Sequence, residues 1–126
     1  ALGRCDAIVF TAGVGEFNAT IREKSVEGLE ELGIKIDKEK NNLSRTRSTE
    51  TLISAKDSKI KIFVIPTDEE IVFIEDVVAL LKGTYKDTST FVYPFQKKDY
   101  VNKQREESLA AEIAKNPKIK EIIAKP

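Results

Sequence analysis

The sequence predicts an α/β fold, and three observations lead to this prediction. A short apolar run at residues 7–11, rich in β-branched and aromatic side chains, is typical of a buried strand and stops at a pair of glycines. A second apolar run, residues 60–65, is closed by Pro66. Each run is followed by a stretch whose apolar residues recur at helical spacing, and alternation of strands and helices is typical of α/β domains.

The first helix is predicted over residues 19–32. Its apolar residues recur at near-helical spacing: Ile21, Val26, Leu29 and Leu32. The charged residues between them, Arg22 included, are expected on the solvent-facing side. Asn18 is the predicted N-cap and Gly33 the predicted C-terminal cap.

A polar connector over residues 35–49 is expected to be exposed, with a possible short edge strand at residues 34–36. Residues 52–54 are a predicted strand that can pair with residues 60–65 as a hairpin, because Asp57-Ser58 between them favours a turn. These elements extend the predicted sheet.

A strongly apolar helix is predicted after Pro66, opening at Thr67 and ending at Gly83. Apolar residues occupy most of its circumference, so the helix is expected to be buried on more than one side. Thr67 followed three residues later by Glu70 has the pattern of a capping box.

From Thr84 the character of the chain changes, and residues 84–126 are predicted to form a unit separate from residues 1–83. Charged helices are expected near residues 99–115 and 117–124. Five aromatic residues precede them: Tyr85, Phe91, Tyr93, Phe95 and Tyr100. The favoured interpretation is that these aromatic side chains form a strap that packs over a parent domain. A platform on which nucleic-acid bases stack is the alternative.

The composition excludes several kinds of active site. The 126 residues include no histidine and one cysteine, so Ser-His-Asp, Cys-His and His-metal sites are excluded within this chain, as are an internal disulfide and a thiolate zinc cage. The 21 Lys and Arg balance the 21 Asp and Glu, which gives no reason to expect nucleic acid or a membrane as partner. No apolar run approaches the length of a membrane span, and a cytoplasmic location is expected.

A predicted glycine loop after the first strand, Gly13-Val14-Gly15-Glu16, is the first candidate site. Backbone amides and a following helix N-terminus at such a position can face a phosphate or nucleotide. An ordinary strand-to-helix turn capped by Asn18 is the alternative. The segment is not a Walker loop, since no Gly-Lys-Ser/Thr follows, and it lacks the third glycine of a dinucleotide fingerprint.

Glu69 is the second candidate, because it lies in a first helical turn after the carboxyl end of a strand. Its carboxylate can hold Mg²⁺ directly or through water. Alternatively, it only interacts favourably with the helix dipole.

Four segments in order resemble the C-terminal part of the acetate kinase family, within the acetate and sugar kinase, heat-shock chaperone and actin superfamily. They are residues 6–16 (DAIVFTAGVGE), Ile21-Arg22, residues 32–37 (LGIKID) and residues 64–70 (VIPTDEE). The resemblance covers about residues 2–81. It implies a partial ribonuclease-H-like, actin-like ATPase domain with a C-terminal helical extension, and the common family pattern offers no counterpart for residues 84–126.

The resemblance further implies reversible transfer of the γ-phosphoryl group of ATP to acetate, giving acetyl phosphate and ADP. Gly13, Val14, Gly15, Glu16 and Phe17 would receive the nucleotide, and Glu69 would serve the Mg²⁺ ion. The family's catalytic arginine and histidines, its acetate pocket and its first phosphate-binding loop belong to sequence before Ala1. No catalytic residue is therefore expected within this chain, which should be inactive alone, whereas the full enzyme would act as a homodimer.

Two residues depart from the family pattern. Phe17 stands where the family usually has asparagine, which makes contact with adenosine more apolar unless Asn18 substitutes. Asp68 replaces another asparagine and adds a negative charge beside the expected metal site. This charge either strengthens the attraction of Mg²⁺ or only reinforces the helix N-terminus. A non-catalytic remnant or interaction module, docking a partner through the aromatic tail, is the alternative function.

Overall fold

A computed structural model of the chain describes residues 3–87 and 89–124. Its contacts divide the chain into two compact units. The first runs up to Thr67 and resumes at Gln104, and the second is Asp68–Lys103. The fold is mixed α/β, as the sequence predicts.

A three-stranded sheet lies in the first unit, in the order β1-β3-β2. Strand β1 (Ala7–Phe10) pairs in parallel with β3 (Lys61–Val64), and β2 (Thr51–Leu52) pairs antiparallel with β3. The predicted strands and the hairpin are therefore confirmed, with β2 at Thr51–Leu52 instead of residues 52–54. The predicted burial of the first strand is wrong, since β1 lies at an edge of this sheet and its residues are exposed or half-buried. The predicted edge segment contributes only an isolated antiparallel bridge between Ile36 and Ser54.

The core of this unit is a cluster of aliphatic side chains beside the sheet. Its buried members are Val26, Ile34, Ile53, Ile62 and Val64. They come from β3, from the residue after β2, from a helix and from the segment that follows that helix, so burial of apolar surface holds these elements together.

Five α-helices accompany the sheet in the described part of the chain: α1 (Ala12–Phe17), α2 (Ala19–Val26), α3 (Lys38–Leu43), α4 (Glu69–Leu81) and α5 (Lys103–Lys115). The Asn18 side chain accepts a hydrogen bond from the amide of Ile21, which confirms Asn18 as the N-cap of α2. The predicted helix over residues 19–32 is wrong in its length. The chain leaves helical geometry at Glu27 and Gly28, and a short 3-10 helix, Glu30–Leu32, follows.

The predicted exposure of the polar connector, residues 35–49, is also wrong. Asp37 caps α3 by accepting hydrogen bonds from the amides of Glu39 and Lys40. Several polar residues here are buried: Asn41, Ser44, Thr46 and Thr49. They tolerate burial because hydrogen bonds replace their contacts with water, as in the 2.6 Å bond between the hydroxyls of Ser44 and Thr51.

The second unit contains α4, whose N-terminus differs from the prediction. Asp68 is the N-cap, and its carboxylate accepts a hydrogen bond from the amide of Ile71. The predicted capping box of Thr67 and Glu70 is therefore wrong. Asp68 competes successfully because aspartate is among the best N-cap residues.

Burial of α4 on more than one side was also a wrong prediction. Within this helix, all of whose residues are described, Ala79 alone is buried. The exposed apolar side chains are Phe73, Ile74, Val77, Val78, Leu80 and Leu81. A helix apolar around most of its circumference needs partners on several sides, and this unit leaves most of its apolar side chains exposed.

Four aromatic rings of the second unit form a continuous series of contacts. Neighbouring centroids lie 5.7 Å apart for Tyr85 and Phe91, 4.8 Å for Phe91 and Tyr93, and 5.0 Å for Tyr93 and Phe95. The Tyr93 hydroxyl donates a 2.8 Å hydrogen bond to the carboxylate of Asp76 in α4. These rings pack mainly on one another.

Contacts divide the chain at positions other than the predicted boundary between residues 83 and 84. That boundary falls inside the second unit. The end of the chain belongs to the first unit because the amide of Leu52 donates to the carbonyl of Ile122 and the amide of Ala124 donates to that of Glu50. The predicted last helix is a 3-10 helix, Pro117–Glu121.

Two glycines with nearly the same backbone conformation allow a matched test of local packing. Gly28 and Gly33 have φ of 81° and 82°. A Cβ at Gly33 would lie 2.8 Å from Cβ of Lys59, whereas one at Gly28 meets nothing within 4 Å. Gly28→Ala is expected to lower the free energy of unfolding by about 1 kcal/mol, and Gly33→Ala by about 1 kcal/mol more, in urea denaturation. Equal losses would contradict the close packing.

Candidate functional site

The glycine-containing segment that was predicted to be a loop forms helix α1. Neither Gly13 nor Gly15 has a positive φ, and the turn out of β1 is instead made by Ala12, at a φ of 60°. Gly15 serves close packing, because a Cβ there would lie 3.3 Å from the carbonyl carbon of Phe10. Val14 and Phe17 are exposed on α1.

Glu16 is the buried member of this segment, with 1% of its surface exposed. Its Oε1 accepts two hydrogen bonds from Thr67, one from the amide at 2.9 Å and one from the hydroxyl at 3.0 Å. Thr67 follows β3 on the chain, so this carboxylate joins α1 to the end of β3. The side chain of Glu16 therefore has a structural partner within the protein.

Arg47 lies on the outer side of the same junction. Its Nε is 3.4 Å from Oε2 of Glu16, and its Nη2 donates a 3.2 Å hydrogen bond to the carbonyl of Thr67. The guanidinium carbon is 5.9 Å from the centre of the Phe17 ring, a distance compatible with a cation–π contact. The guanidinium of Arg47 thus contacts the Glu16 carboxylate, the Thr67 carbonyl and the Phe17 ring.

Arg22, which the sequence pattern placed on the solvent-facing side, is fully buried beneath α1, and that prediction is wrong. Its guanidinium donates five hydrogen bonds of 2.7–2.8 Å. The acceptors are the carbonyls of Gly15, Glu16, Asn41 and Ser44 and the side-chain oxygen of Asn41. All five N–H donors of the guanidinium are thereby satisfied.

The charge of Arg22 is stabilised by the ends of two helices. Its carbonyl acceptors belong to the C-terminal turns of α1 and α3, where the helix dipole is negative and carbonyls lack helical partners. Burial lowers the pKa of the Arg22 guanidinium, and the like charge of Arg45 adds to this effect. Helical spacing alone gave no signal for this role.

Glu69 begins α4, in the second unit, and is exposed. Its carboxylate makes no hydrogen bond or ion pair with another described residue, so this group is free to bind a ligand. Among residues 3–87 and 89–124, no three His, Cys, Asp or Glu side chains gather into a metal-binding group. Glu69 could therefore supply one oxygen to a Mg²⁺ ion.

An open groove of about 600 Å³ lies beside α2, away from the predicted site residues. Ion pairs lie on its rim, with Nζ of Lys38 2.7 Å from Glu23 and Nζ of Lys35 2.6 Å from Asp57. The hydrogen bond between Lys35 and Asp57 raises the pKa of the lysine and lowers that of the aspartate. Both groups therefore stay charged at neutral pH.

Two comparisons of sequence identify relatives of this chain. A family model described as the acetokinase family matches residues 1–75. The acetate kinase of Geobacter metallireducens is 62% identical over 100 residues, which cover 79% of this chain and 24% of the relative. That of Treponema pallidum is 51% identical over 124 residues, 98% of this chain and 28% of the relative. Since the second match covers 98% of this chain, most of residues 84–126 has a counterpart in at least one acetate kinase.

Solved structures give the same result. The acetate kinase of Porphyromonas gingivalis matches with a TM-score of 0.50 at 40% identity, over 63% of this chain and 19% of that one. The acetate kinase of Entamoeba histolytica matches with a TM-score of 0.53 at 27% identity, over 64% of this chain and 20% of that one.

The chain spans about a quarter of the length of the curated relatives it matches. None of the helices in the described ranges is long and apolar enough to cross a membrane. The family model covers more than half of the chain, and relatives of high identity carry the same description. The chain therefore belongs to the acetokinase family.

Proposed function

We propose that this chain is the nucleotide-facing C-terminal part of an acetate kinase, which transfers the γ-phosphoryl group of ATP to acetate and yields acetyl phosphate and ADP in a reversible reaction. The observation that carries the proposal is the 62% identity to the acetate kinase of Geobacter metallireducens over 100 residues. The parallel pairing of β1 with β3, with helices between them, is compatible with part of a ribonuclease-H-like domain.

Residues of α1 would receive the nucleotide. Gly13, Val14 and Phe17 are exposed and can contact it directly. Glu16 is buried against Thr67, so its part would be to hold α1 in place, and Gly15 would allow α1 to pack closely on β1. The exposed Phe17 ring offers a base or ribose an apolar contact where the family usually has an amide.

Mg²⁺ is the metal that this function requires, and Glu69 is its proposed ligand. The fit is that of a single exposed carboxylate, which suits Mg²⁺ because this ion keeps several waters and binds substrate phosphates. When bound, Mg²⁺ would neutralise charge on the phosphates during transfer. Asp68 adds a second negative charge on the chain next to Glu69, although its carboxylate is engaged in capping α4.

The groups that activate acetate are proposed to lie in other parts of the enzyme. Phosphoryl transfer depends mainly on positioning and on cationic groups around the transferred phosphoryl group. The two arginines with extensive contacts, Arg22 and Arg47, are engaged with the protein itself. A homodimer in the cytoplasm is the proposed state of the full enzyme.

Titration with ADP, with and without Mg²⁺, tests the nucleotide and metal sites. We expect the chain to bind ADP weakly and Mg²⁺ to strengthen binding. Glu69→Gln should reduce the Mg²⁺-dependent part about tenfold, because it removes the charged oxygen ligand. Glu70→Gln, a neighbouring exposed carboxylate, is the matched control and should behave as the unsubstituted chain does. Equal losses in both variants would contradict a specific role of Glu69.

A second candidate function is a non-catalytic interaction module, which the exposed apolar side chains of α4, such as Phe73, Ile74 and Leu81, favour. This candidate predicts no ADP binding. A third possibility is that the isolated chain is catalytic by itself. Incubating the chain with ATP and acetate tests it, since formation of acetyl phosphate would show catalysis by the chain alone.

A further inference from the structure

The Arg47 guanidinium contacts three residues at the junction between α1 and the segment that follows β3. It approaches the Glu16 carboxylate at 3.4 Å, the Thr67 carbonyl at 3.2 Å and the Phe17 ring at 5.9 Å. The contacts are spread over residues 20 to 31 positions away in sequence, so they fix tertiary position and not local structure.

The Glu16 carboxylate needs this cation. Its Oε1 is used by Thr67, but its Oε2 is buried without a hydrogen-bond partner among the described residues. An uncompensated carboxylate oxygen in a buried position is costly. Arg47 supplies the nearby positive charge, at a distance typical of an ion pair.

We propose that Arg47 is a positioning residue of the nucleotide site: it holds α1 against the end of β3 by bridging Glu16 and Thr67. This inference rests on the proposed function, because the proposed function is what assigns nucleotide binding to α1. Arg47 touches no substrate in this proposal. It acts through Glu16 and Phe17, the latter covered on one side by the guanidinium.

Two arginines therefore hold α1 in position. Arg22 binds the carbonyls of Gly15 and Glu16 from inside the protein, whereas Arg47 binds the Glu16 side chain from outside. The side chain of Arg47 is 56% exposed, so its removal leaves no buried cavity. Loss of Arg47 should therefore move α1 without unfolding the unit.

The test compares Arg47→Ala with Arg45→Ala in the 126-residue chain. Arg45 is exposed and lies two positions away, and its side chain forms no hydrogen bond or ion pair with another described residue. The two variants therefore remove the same charge from the same segment. Hydrogen exchange of the Thr67 amide, measured by NMR, monitors the junction directly. ADP affinity and the midpoint of urea denaturation are measured for the same proteins.

We expect Arg47→Ala to speed exchange of the Thr67 amide about fivefold and to weaken ADP binding by a similar factor. The denaturation midpoint should fall slightly, because Oε2 of Glu16 then stays buried without a nearby cation. Arg45→Ala should change none of the three. The proposal is overturned if exchange is unaltered in Arg47→Ala, or if exchange speeds up while ADP affinity stays at its original value. Failure of the unsubstituted chain to bind ADP would overturn the proposed function and the nucleotide role of Arg47, and exchange would still decide whether Arg47 holds the junction.

Discussion

Replacing Arg22 with methionine is expected to lower the free energy of unfolding of the first unit by at least about 4 kcal/mol. Methionine fills much of the space but donates no hydrogen bond, so five short bonds are lost. The carbonyls at the C-terminal ends of α1 and α3 stay buried without partners, and each such group costs about 1–3 kcal/mol. Urea denaturation followed by far-ultraviolet circular dichroism measures the loss.

Lysine at the same position separates charge from geometry. Arg22→Lys keeps the positive charge but has three donors on one nitrogen, so it cannot reach both helix ends, and we expect a loss of about 2–3 kcal/mol. Arg45→Met is the control at an exposed arginine and should stay within about 0.5 kcal/mol of the original stability. If the methionine variants at positions 22 and 45 unfold at the same urea concentration, the two-helix role of Arg22 is refuted.

The burial of Arg22 could not be predicted from helical spacing. In sequence it lies between Ile21 and Glu23, on the face that carries other charged residues, and such a pattern predicts solvent exposure. Two of its binding partners, Asn41 and Ser44, lie 19 and 22 positions further along the chain. Their position depends on how α3 packs, which local periodicity does not contain.

Features set by neighbouring residues were predicted well. The apolar runs around β1 and β3 form parallel strands, because continuous β-branched and aromatic sequence favours extended backbone. Burial of β1 did not follow, because it depends on what packs on the strand and not on the strand's own sequence. Asn18 caps α2 because its side chain needs only the amide three positions ahead. At the end of α4, Gly83 adopts a positive φ of 66°.

Features at the candidate site were predicted less well, because two local patterns competed there. Glycines after a strand predicted a loop, yet residues 12–17 form α1, since tertiary contacts at Gly15 and Glu16 outweigh the low helix propensity of glycine. Thr67 matched a capping pattern, but its amide and its hydroxyl both donate hydrogen bonds to the carboxylate of Glu16, 51 positions earlier. The position of residues 13–16 after a strand pointed to this segment, but nothing in the local pattern indicated that Glu16 is buried against Thr67.

Replacing Glu16 with alanine is expected to lower the free energy of unfolding by about 3 kcal/mol. The amide and the hydroxyl of Thr67 would lose their acceptor, and a cavity would remain where the side chain was fully buried. Arg47, more than half exposed, would be solvated and add little to the loss. Thermal and urea denaturation of the chain measure the effect.

Glutamine at position 16 shows how much of this loss comes from charge. Its amide oxygen can still accept from Thr67, but its NH₂ group would face the Nε–H of Arg47, donor against donor. We expect Glu16→Gln to lower the free energy of unfolding by about 1–2 kcal/mol, which is less than the loss in Glu16→Ala. The control is Glu27→Gln at an exposed glutamate, which should leave the free energy of unfolding nearly unchanged. Exchange of the Thr67 amide should speed up strongly in Glu16→Ala, where the acceptor is lost. It should speed up less in Glu16→Gln, where the acceptor stays and the contact with Arg47 is lost, by about the same factor as in Arg47→Ala. If the two variants are equally unstable, the ion pair with Arg47, and not the hydrogen bonds to Thr67, holds α1 to β3.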